Sequence, residues 1–150
     1  MKLESFVEAH HSKAIDDFLK IYSNKNEYIA ILLAGSLAHG FAKTNSDIDI
    51  ILVATEDEYE QRKKEKKLAF SLWDICNYPG GYIDCKVVSL NLLKQIAKKG
   101  SDPARYAFKD VKVLFSRTKS LEPLLKQVIQ YPVEQKSYRE HRFICQFLAW

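Results

Sequence analysis

The sequence predicts an α/β (α+β) protein in which helices flank a sheet. Short, almost wholly apolar runs alternate along the chain with amphipathic or charged segments, and turn residues separate them. Apolar runs bounded by turn residues are typical of strands that are buried on both faces. Strands that alternate with helical segments build a sheet covered by helices, and 150 residues suffice for one such domain.

Two of these strands are predicted in the first half of the chain, over residues 28–34 and 47–54. Residues 4–22 place apolar side chains at mostly helical spacing, which predicts an amphipathic helix ahead of the first strand. A short helix over 36–41 is expected to follow that strand. Residues 56–70 are expected to form a charged helix, because acids precede bases in the order that the helix dipole favours.

The second half is expected to alternate in the same way. Ser89 can cap a helix that ends at Gly100, and Asp102 followed by Pro103 is predicted to cap the next helix. The predicted elements are strands over 81–89 and 111–116 and helices over 90–99, 102–108 and 120–131.

Residues 135–150 predict a last helix with an apolar stripe, which is followed by the apolar Trp150. The stripe consists of Tyr138, Phe143 or Ile144, Phe147 and Leu148. A solvent-exposed stripe of this kind usually needs a partner surface. We therefore expect a contact in a homodimer, a contact with a partner protein, or the start of a further helical region. Packing of this helix on its own sheet is the alternative. The chain divides accordingly into a domain over 1–134 and a C-terminal helix over 135–150.

Composition excludes several classes of protein. Hydrophobic residues make up 47% of the chain and charged residues 28%, which are the proportions of a globular protein and not of a disordered one. No apolar stretch approaches the ~20 residues of a membrane span, and no apolar leader is apparent at the start. Three cysteines are too few for a disulfide scaffold or a closed zinc site. We expect a cytoplasmic protein with reduced thiols.

The chain carries 23 Lys and Arg against 19 Asp and Glu, and the basic excess lies in residues 76–150. A basic half often faces the phosphates of a nucleotide or of a nucleic acid. A solvated, Lys-rich surface explains the same excess, and we find no recognised nucleic-acid motif. Charge leaves the partner open.

Asp47 and Asp49 are the first candidates for chemistry. They occupy positions i and i+2 of a predicted strand, so both carboxylates project from one face, about 6–7 Å apart along the chain. Two carboxylates this close repel each other, and the apolar neighbours Ile48 and Ile50 increase the cost. A divalent cation resolves the conflict, and oxygen ligands of this kind suit Mg²⁺ with substrate phosphates.

Gly35 and Ser36 end the preceding apolar strand. Glycine allows close approach of the backbone, and backbone N–H groups at the start of a helix attract anions. A phosphate cradle next to a pair of carboxylates could hold a magnesium triphosphate between them.

Gly35-Ser36, ten intervening residues and then Asp47-Ile48-Asp49-Ile50 resemble the signature of the polymerase-beta-type nucleotidyltransferase superfamily. The likeness is to small stand-alone domains, similar to the aminoglycoside and minimal nucleotidyltransferases, and covers about residues 28–90. It implies a mixed sheet of about four to five strands flanked by helices, with residues 1–134 as the catalytic domain.

The resemblance also implies roles for single residues. Gly35 and Ser36 would bind the β- and γ-phosphates of a nucleoside triphosphate. Asp47 and Asp49 would bind one or two Mg²⁺ ions. Asp84, in the third predicted strand, matches the family's third carboxylate, which completes the two-metal site and orients or deprotonates the acceptor hydroxyl. Asp74 is the alternative for that third carboxylate.

The activity that the resemblance implies is transfer of a nucleoside monophosphate, AMP from ATP, to a hydroxyl with release of pyrophosphate. The acceptor could be a small molecule, a protein side chain or an RNA end. The alternative is a non-catalytic or antitoxin-like module that binds a partner protein and keeps only the fold.

Overall fold

A computed structural model describes residues 7–148 of the chain. Within that range it contains seven α-helices and five strands. In chain order these are α1 (Ala9–Tyr22), β1 (Tyr28–Ala34), α2 (Gly35–His39), β2 (Ile48–Ala54), α3 (Glu56–Lys64), β3 (Ala69–Leu72), β4 (Ile83–Ser89), α4 (Leu90–Lys99), α5 (Asp102–Tyr106), β5 (Lys112–Ser116), α6 (Leu121–Ile129) and α7 (Lys136–Leu148), with a 3₁₀ turn at Val133–Gln135 before α7.

The strands form one mixed sheet in the order β3-β4-β2-β1-β5. β2 and β4 run parallel to each other, and every other neighbouring pair in this sheet is antiparallel. The fold class is therefore confirmed, including a mixed sheet with helices against it. Two of the three interior strands, β2 and β1, are the apolar runs whose burial on both faces the sequence predicts.

Each face of the sheet has its own hydrophobic core. On one face, α1 and α3 contribute Ile15, Phe18 and Tyr59, which pack against alternate residues of the strands. On the other face, α4 and α6 contribute Leu93 and Val128, which pack against the remaining strand residues. Both layers therefore exclude water from the central strands.

The predicted helix over 56–70 is wrong in its second half. α3 ends at Lys64, and the backbone turns at Lys66, which has a φ of 58°. The chain then forms β3, an edge strand paired antiparallel with β4. Phe70 and Leu72 alternate along β3 and pack against the core, and this tertiary contact outweighs the local preference for a helix.

The other predicted elements are present with boundaries shifted by a few residues. Residues 4–6 of the first predicted helix lie outside the described part of the chain. Ser89 caps α4 as expected, since its hydroxyl accepts a hydrogen bond from Leu92 N at 3.1 Å. The prediction that Asp102 caps α5 is wrong. Ser101 is the cap, and Asp102 is the first helical residue, where its carboxylate accepts from Arg139 at 2.6 Å.

The C-terminal helix α7 exposes Tyr138, Ile144 and Leu148. Arg139 links α7 to the rest of the domain through Asp102 and through the carbonyl of Gly100, 3.1 Å away. Trp150 and the side chains of Phe143 and Phe147 lie outside what the structure describes. No helix within residues 7–148 has the length and hydrophobicity that a membrane crossing requires.

Candidate functional site

Gly35 stands where β1 passes directly into α2. Its φ is 64°, in the left-handed region that glycine adopts without strain. A Cβ at this position would lie 2.6 Å from Asp49 Cγ and would collide with a carboxylate oxygen of the same residue. The absence of a side chain therefore lets the backbone at the end of β1 approach the Asp49 carboxylate closely.

Ser36 follows in the first turn of α2. Its carbonyl accepts the hydrogen bond of Phe41 N at 2.9 Å, and Gly40 ends this short helix with a φ of 80°. The ladder between β1 and β2 places Ala34 opposite Asp49. The Gly35-Ser36 turn and the Asp49 carboxylate thus lie side by side at one end of the central strands.

Asp49 and Asp84 are direct partners in the ladder between the parallel strands β2 and β4. Ser71 of β3 is opposite Asp84 in the next ladder, and its hydroxyl donates to Asp84 Oδ1 at 3.3 Å. Lys86 forms an ion pair with the other oxygen of Asp84, at 3.6 Å. Asp49, Asp84 and Ser71 form a first row of polar side chains across three strands.

Asp47 precedes β2 by one residue and faces the same side as Asp49, because side chains two residues apart in an extended chain share a face. Burial raises the pKa of Asp49 above its ordinary value, and the negative charges of Asp47 and Asp84 raise it further. Lys86 offsets this shift only in part. The three carboxylates are therefore close enough to repel one another, which is an arrangement that favours a bound cation.

A second row lies one pleat away from the first. Tyr82 precedes β4 by one residue and Trp73 follows β3 by one residue. Their rings stack, with centroids 4.4 Å apart and an interplanar angle of 25°. A hydrogen bond with the Asp47 carboxylate, together with the negative charge of that group, raises the pKa of Tyr82. Asp47, Tyr82 and Trp73 thus continue the polar face towards the edge strand.

The turn that leads into Asp47 is fixed by α1. The buried imidazole of His11 donates from Nε2 to the carbonyl of Ser46 at 3.2 Å, and the Tyr78 hydroxyl donates to the same carbonyl at 2.8 Å. His10 contacts the carbonyl of Thr44 at 2.8 Å. His11 Nδ1 has no hydrogen-bond partner within the described residues. These contacts hold the backbone immediately before the first carboxylate.

The donor set fits a cation that also takes ligands from a substrate. Among the described residues, no three His, Cys, Asp or Glu side chains are arranged to hold a metal ion by themselves. Asp47, Asp49 and Asp84 offer only oxygen atoms, and Mg²⁺ normally binds one or two carboxylates plus waters and phosphate oxygens. Burial raises the pKa of Asp49 more than the positive charge of Lys86 lowers it.

The structure thus brings together the five residues that the motif predicts: Gly35, Ser36, Asp47, Asp49 and Asp84. Asp74, the alternative third carboxylate, is exposed in the bend after β3 and has no place in the first row. Ser71, Trp73, Tyr82 and His11 are neighbours of the site that sequence reasoning missed. For Tyr82, alternation along β4 was a usable signal, since it lies two residues before Asp84.

Residues 16–102 match the protein family described as "Polymerase beta, Nucleotidyltransferase". No curated protein matches the chain at a significant level. Among solved structures, one described as "Crystal structure of the toxin-antitoxin with AMP-PNP" is similar, with 18% sequence identity and a TM-score of 0.43, over 91% of this chain and 97% of that chain. The family match spans more than half of this chain and contains β1 to β4 with all five predicted site residues. The chain therefore belongs to the polymerase-beta nucleotidyltransferase family.

Proposed function

We propose that this chain is a magnesium-dependent nucleotidyltransferase that moves AMP from ATP to a hydroxyl acceptor and releases pyrophosphate. One observation carries the proposal. Gly35 opens the end of β1 directly onto the Asp49 carboxylate, so that a backbone turn suited to phosphate lies against a carboxylate suited to Mg²⁺.

In this proposal Gly35 and Ser36 bind the β- and γ-phosphates of the donor. Because Gly35 has no side chain, its backbone can lie against the Asp49 carboxylate, which would place the bound phosphates next to a metal-binding group. Asp47 and Asp49 hold Mg²⁺, and Asp84 completes a second metal-binding position. When bound, Mg²⁺ neutralises the triphosphate and the charge that develops on the leaving pyrophosphate.

Asp84 orients the acceptor hydroxyl or takes its proton. The hydroxyl oxygen forms a bond to the α-phosphorus while the bond from that phosphorus to the bridging oxygen of pyrophosphate breaks. Ser71 and Lys86 contact the two oxygens of Asp84 and so limit its rotation. Catalysis of this kind consists mostly of positioning and charge neutralisation.

The proposal also covers the domain division, the partner, the compartment and the acceptor of the enzyme. Residues 1–134 form the catalytic domain, and α7 offers Tyr138 and Ile144 to a second copy or to a partner protein. Cys76, Cys85 and Cys145 carry free thiols, which fits a reducing compartment such as the cytoplasm. The acceptor is a small molecule, a protein side chain or an RNA end.

The test is a transfer assay with ATP labelled either at the α- or at the γ-phosphate, with Mg²⁺ and each of the three acceptor classes in separate reactions. We expect the α-label to appear on one acceptor class and the γ-label to appear in pyrophosphate. Retention of the γ-label on the acceptor would identify a kinase instead. The variant Asp47→Asn/Asp49→Asn is the control and should transfer neither label.

A partner-binding module without activity predicts a different result. Such a module would transfer no label to any acceptor class, and its binding of a partner protein would survive the loss of both carboxylates.

A further inference from the structure

Trp73 is an exposed aromatic residue beside the carboxylates that the proposed function does not use. Its side chain is 63% exposed, although large aromatic side chains are usually buried. One face of the indole is covered by Tyr82. Aromatic rings stack best in offset, near-parallel pairs, so the uncovered part of this pair can accept a further planar ring.

The register of the sheet shows where this pair lies relative to Asp84. Ser71 is opposite Asp84, and Trp73 comes two residues later, just beyond the end of β3, where alternation keeps it on the same face. Tyr82 likewise comes two residues before Asp84 on β4. Two residues of a strand span about 6–7 Å. The aromatic pair therefore lies that distance along the strands from Asp84, the carboxylate that is proposed to contact the acceptor hydroxyl.

We propose that Trp73 and Tyr82 form a subsite for the acceptor, on which a planar heteroaromatic ring of the acceptor stacks. In such an acceptor the ring lies some distance from the reacting hydroxyl, as the base of a nucleoside does. The inference rests on the proposed function, since it takes Asp84 as the acceptor side of the site. A phenol fits less well, because its hydroxyl is attached to the ring itself and cannot reach Asp84 while the ring lies on Trp73.

The position of Trp73 in the sheet indicates that the ring stacked on it belongs to the acceptor and not to the donor. Gly35 and Ser36 lie at the end of β1, whereas Trp73 follows β3, which is separated from β1 by β2 and β4. A donor whose phosphates bind at Gly35 approaches from the opposite side of the carboxylate row. The ring on Trp73 then belongs to the molecule that enters from the β3 edge.

Trp73 is one of two tryptophans in the sequence, so its fluorescence can be observed alone in a full chain that carries Trp150→Phe. The probe is adenosine, titrated with and without prior saturation by Mg²⁺ and α,β-methylene ATP, whose α–β linkage resists transfer. Ribose is the probe that lacks the base, and N-acetyltyrosinamide is the probe whose hydroxyl lies on the ring.

We expect adenosine to quench the fluorescence saturably, both before and after donor saturation, and the other two probes to leave it unchanged. No response to adenosine overturns the inference. Loss of the response once the donor is bound also overturns it, because the donor's own base then occupies Trp73. Quenching by N-acetyltyrosinamide alone would overturn it in favour of a phenolic acceptor.

Variants provide a second readout. Trp73→Ala should weaken adenosine binding, followed by calorimetry, by roughly 5- to 150-fold, the range expected for one base–aromatic stack. Trp73→Phe should restore most of the affinity. Tyr131→Ala removes another exposed aromatic residue, away from the carboxylates and from the exposed face of α7, and should leave adenosine affinity unchanged. Equal affinity in Trp73→Ala and the wild type would contradict the inference.

Donor binding separates this inference from the proposed function. If α,β-methylene ATP fails to bind the wild-type chain with Mg²⁺, the proposed function fails, whatever adenosine does. If the donor binds and adenosine does not quench Trp73, only the acceptor subsite fails.

Discussion

At the residue scale, the site depends on one backbone position without a side chain. Gly35 combines a φ of 64° with a backbone that touches the Asp49 carboxylate. Gly80 shares the left-handed conformation, with a φ of 76°, but a Cβ there would lie 3.8 Å from its nearest neighbour, the carbonyl oxygen of Asn45. An alanine at either position would strain the backbone, but only an alanine at Gly35 would also collide with Asp49. Comparing the two variants therefore distinguishes the two effects.

We predict that Gly35→Ala weakens binding of magnesium ATP by roughly 10- to 100-fold, the usual effect of changing a residue that positions a metal ligand. Gly80→Ala should pay only the backbone cost of about 1–2 kcal/mol and keep its affinity for ATP. Calorimetric titration and urea denaturation of both variants check this. Equal affinities in the two variants would contradict the role given to Gly35.

The Asp49 carboxylate makes a prediction about stability. Its pKa lies above the ordinary value of 3.8, first because of burial and then because of Asp47. Between the ordinary and the raised pKa, the native state binds more protons than the unfolded state, so stability falls as pH rises through that interval. At neutral pH the ionised carboxylate therefore destabilises the metal-free fold.

Asp49→Asn should accordingly raise the free energy of unfolding at pH 7 by on the order of 1 kcal/mol in metal-free buffer. The same variant should lose magnesium-dependent ATP binding. Asp16→Asn changes an exposed carboxylate on α1 and should shift stability by no more than about 0.5 kcal/mol. A less stable Asp49→Asn protein in urea denaturation would show that the native fold does not strain this carboxylate.

The motif residues could be predicted from the sequence because their spacing alone brings them to one strand end. His11 and Trp73 could not be predicted in the same way. His11 reaches Ser46 across 35 positions of sequence, and Trp73 meets Tyr82 only through the register of an edge strand. Contacts of this kind depend on how distant elements pack, which local patterns do not determine.

At the element scale, Arg105 joins three helices. It is 1% exposed, and it donates to the carbonyl of Ala97 in α4 and to that of Gly100, which ends the same helix. It also donates to the carbonyls of Val128, in α6, and Gln130, which ends it. The guanidinium thus satisfies carbonyl groups that the ends of two helices leave without partners.

We predict that Arg105→Met lowers the free energy of unfolding by about 3 kcal/mol or more, because it removes a buried guanidinium from four carbonyls that are buried or partly buried. Arg117 is the matched control. It is exposed and donates to the carbonyls of Tyr28 and Ser23, so Arg117→Met should cost about 1 kcal/mol or less. Urea denaturation of both variants measures the difference, and equal losses would refute the role of burial.

The helices and the central strands could be predicted because their apolar periodicity is local. β3 was not predicted, although the composition changes from charged to apolar at Leu68, because its four residues, Ala69–Leu72, are too few for alternation to distinguish a strand from the end of a helix. Only pairing with β4 and the contact of Phe70 with the core distinguish it from a continued helix.

At the scale of the whole molecule, the two cores that cover the sheet contain no described residue of α7. Arg139 provides the side-chain hydrogen bonds that the structure describes between α7 and the domain. On this arrangement we propose the division between residues 1–134 and 135–150.

We predict that a chain ending at residue 134 unfolds cooperatively, with a loss of stability of about 1–2 kcal/mol, because the truncation removes few buried contacts. Thermal denaturation followed by circular dichroism tests this. Gel filtration of the full chain and of Tyr138→Ser/Ile144→Ser tests separately whether α7 contacts a second copy. Loss of cooperative unfolding would contradict the division, since it would make α7 part of the core.

Binding of ATP tests the central claim most directly. Calorimetric titration of α,β-methylene ATP into the full chain, with and without Mg²⁺, is compared among the wild type, Asp47→Asn/Asp49→Asn and Asp16→Asn. We predict magnesium-dependent binding to the wild type and to Asp16→Asn, and none to the double variant. Binding that survives in the double variant, or no binding to the folded wild type, would contradict the assignment of this end of the sheet as a nucleotidyltransferase site.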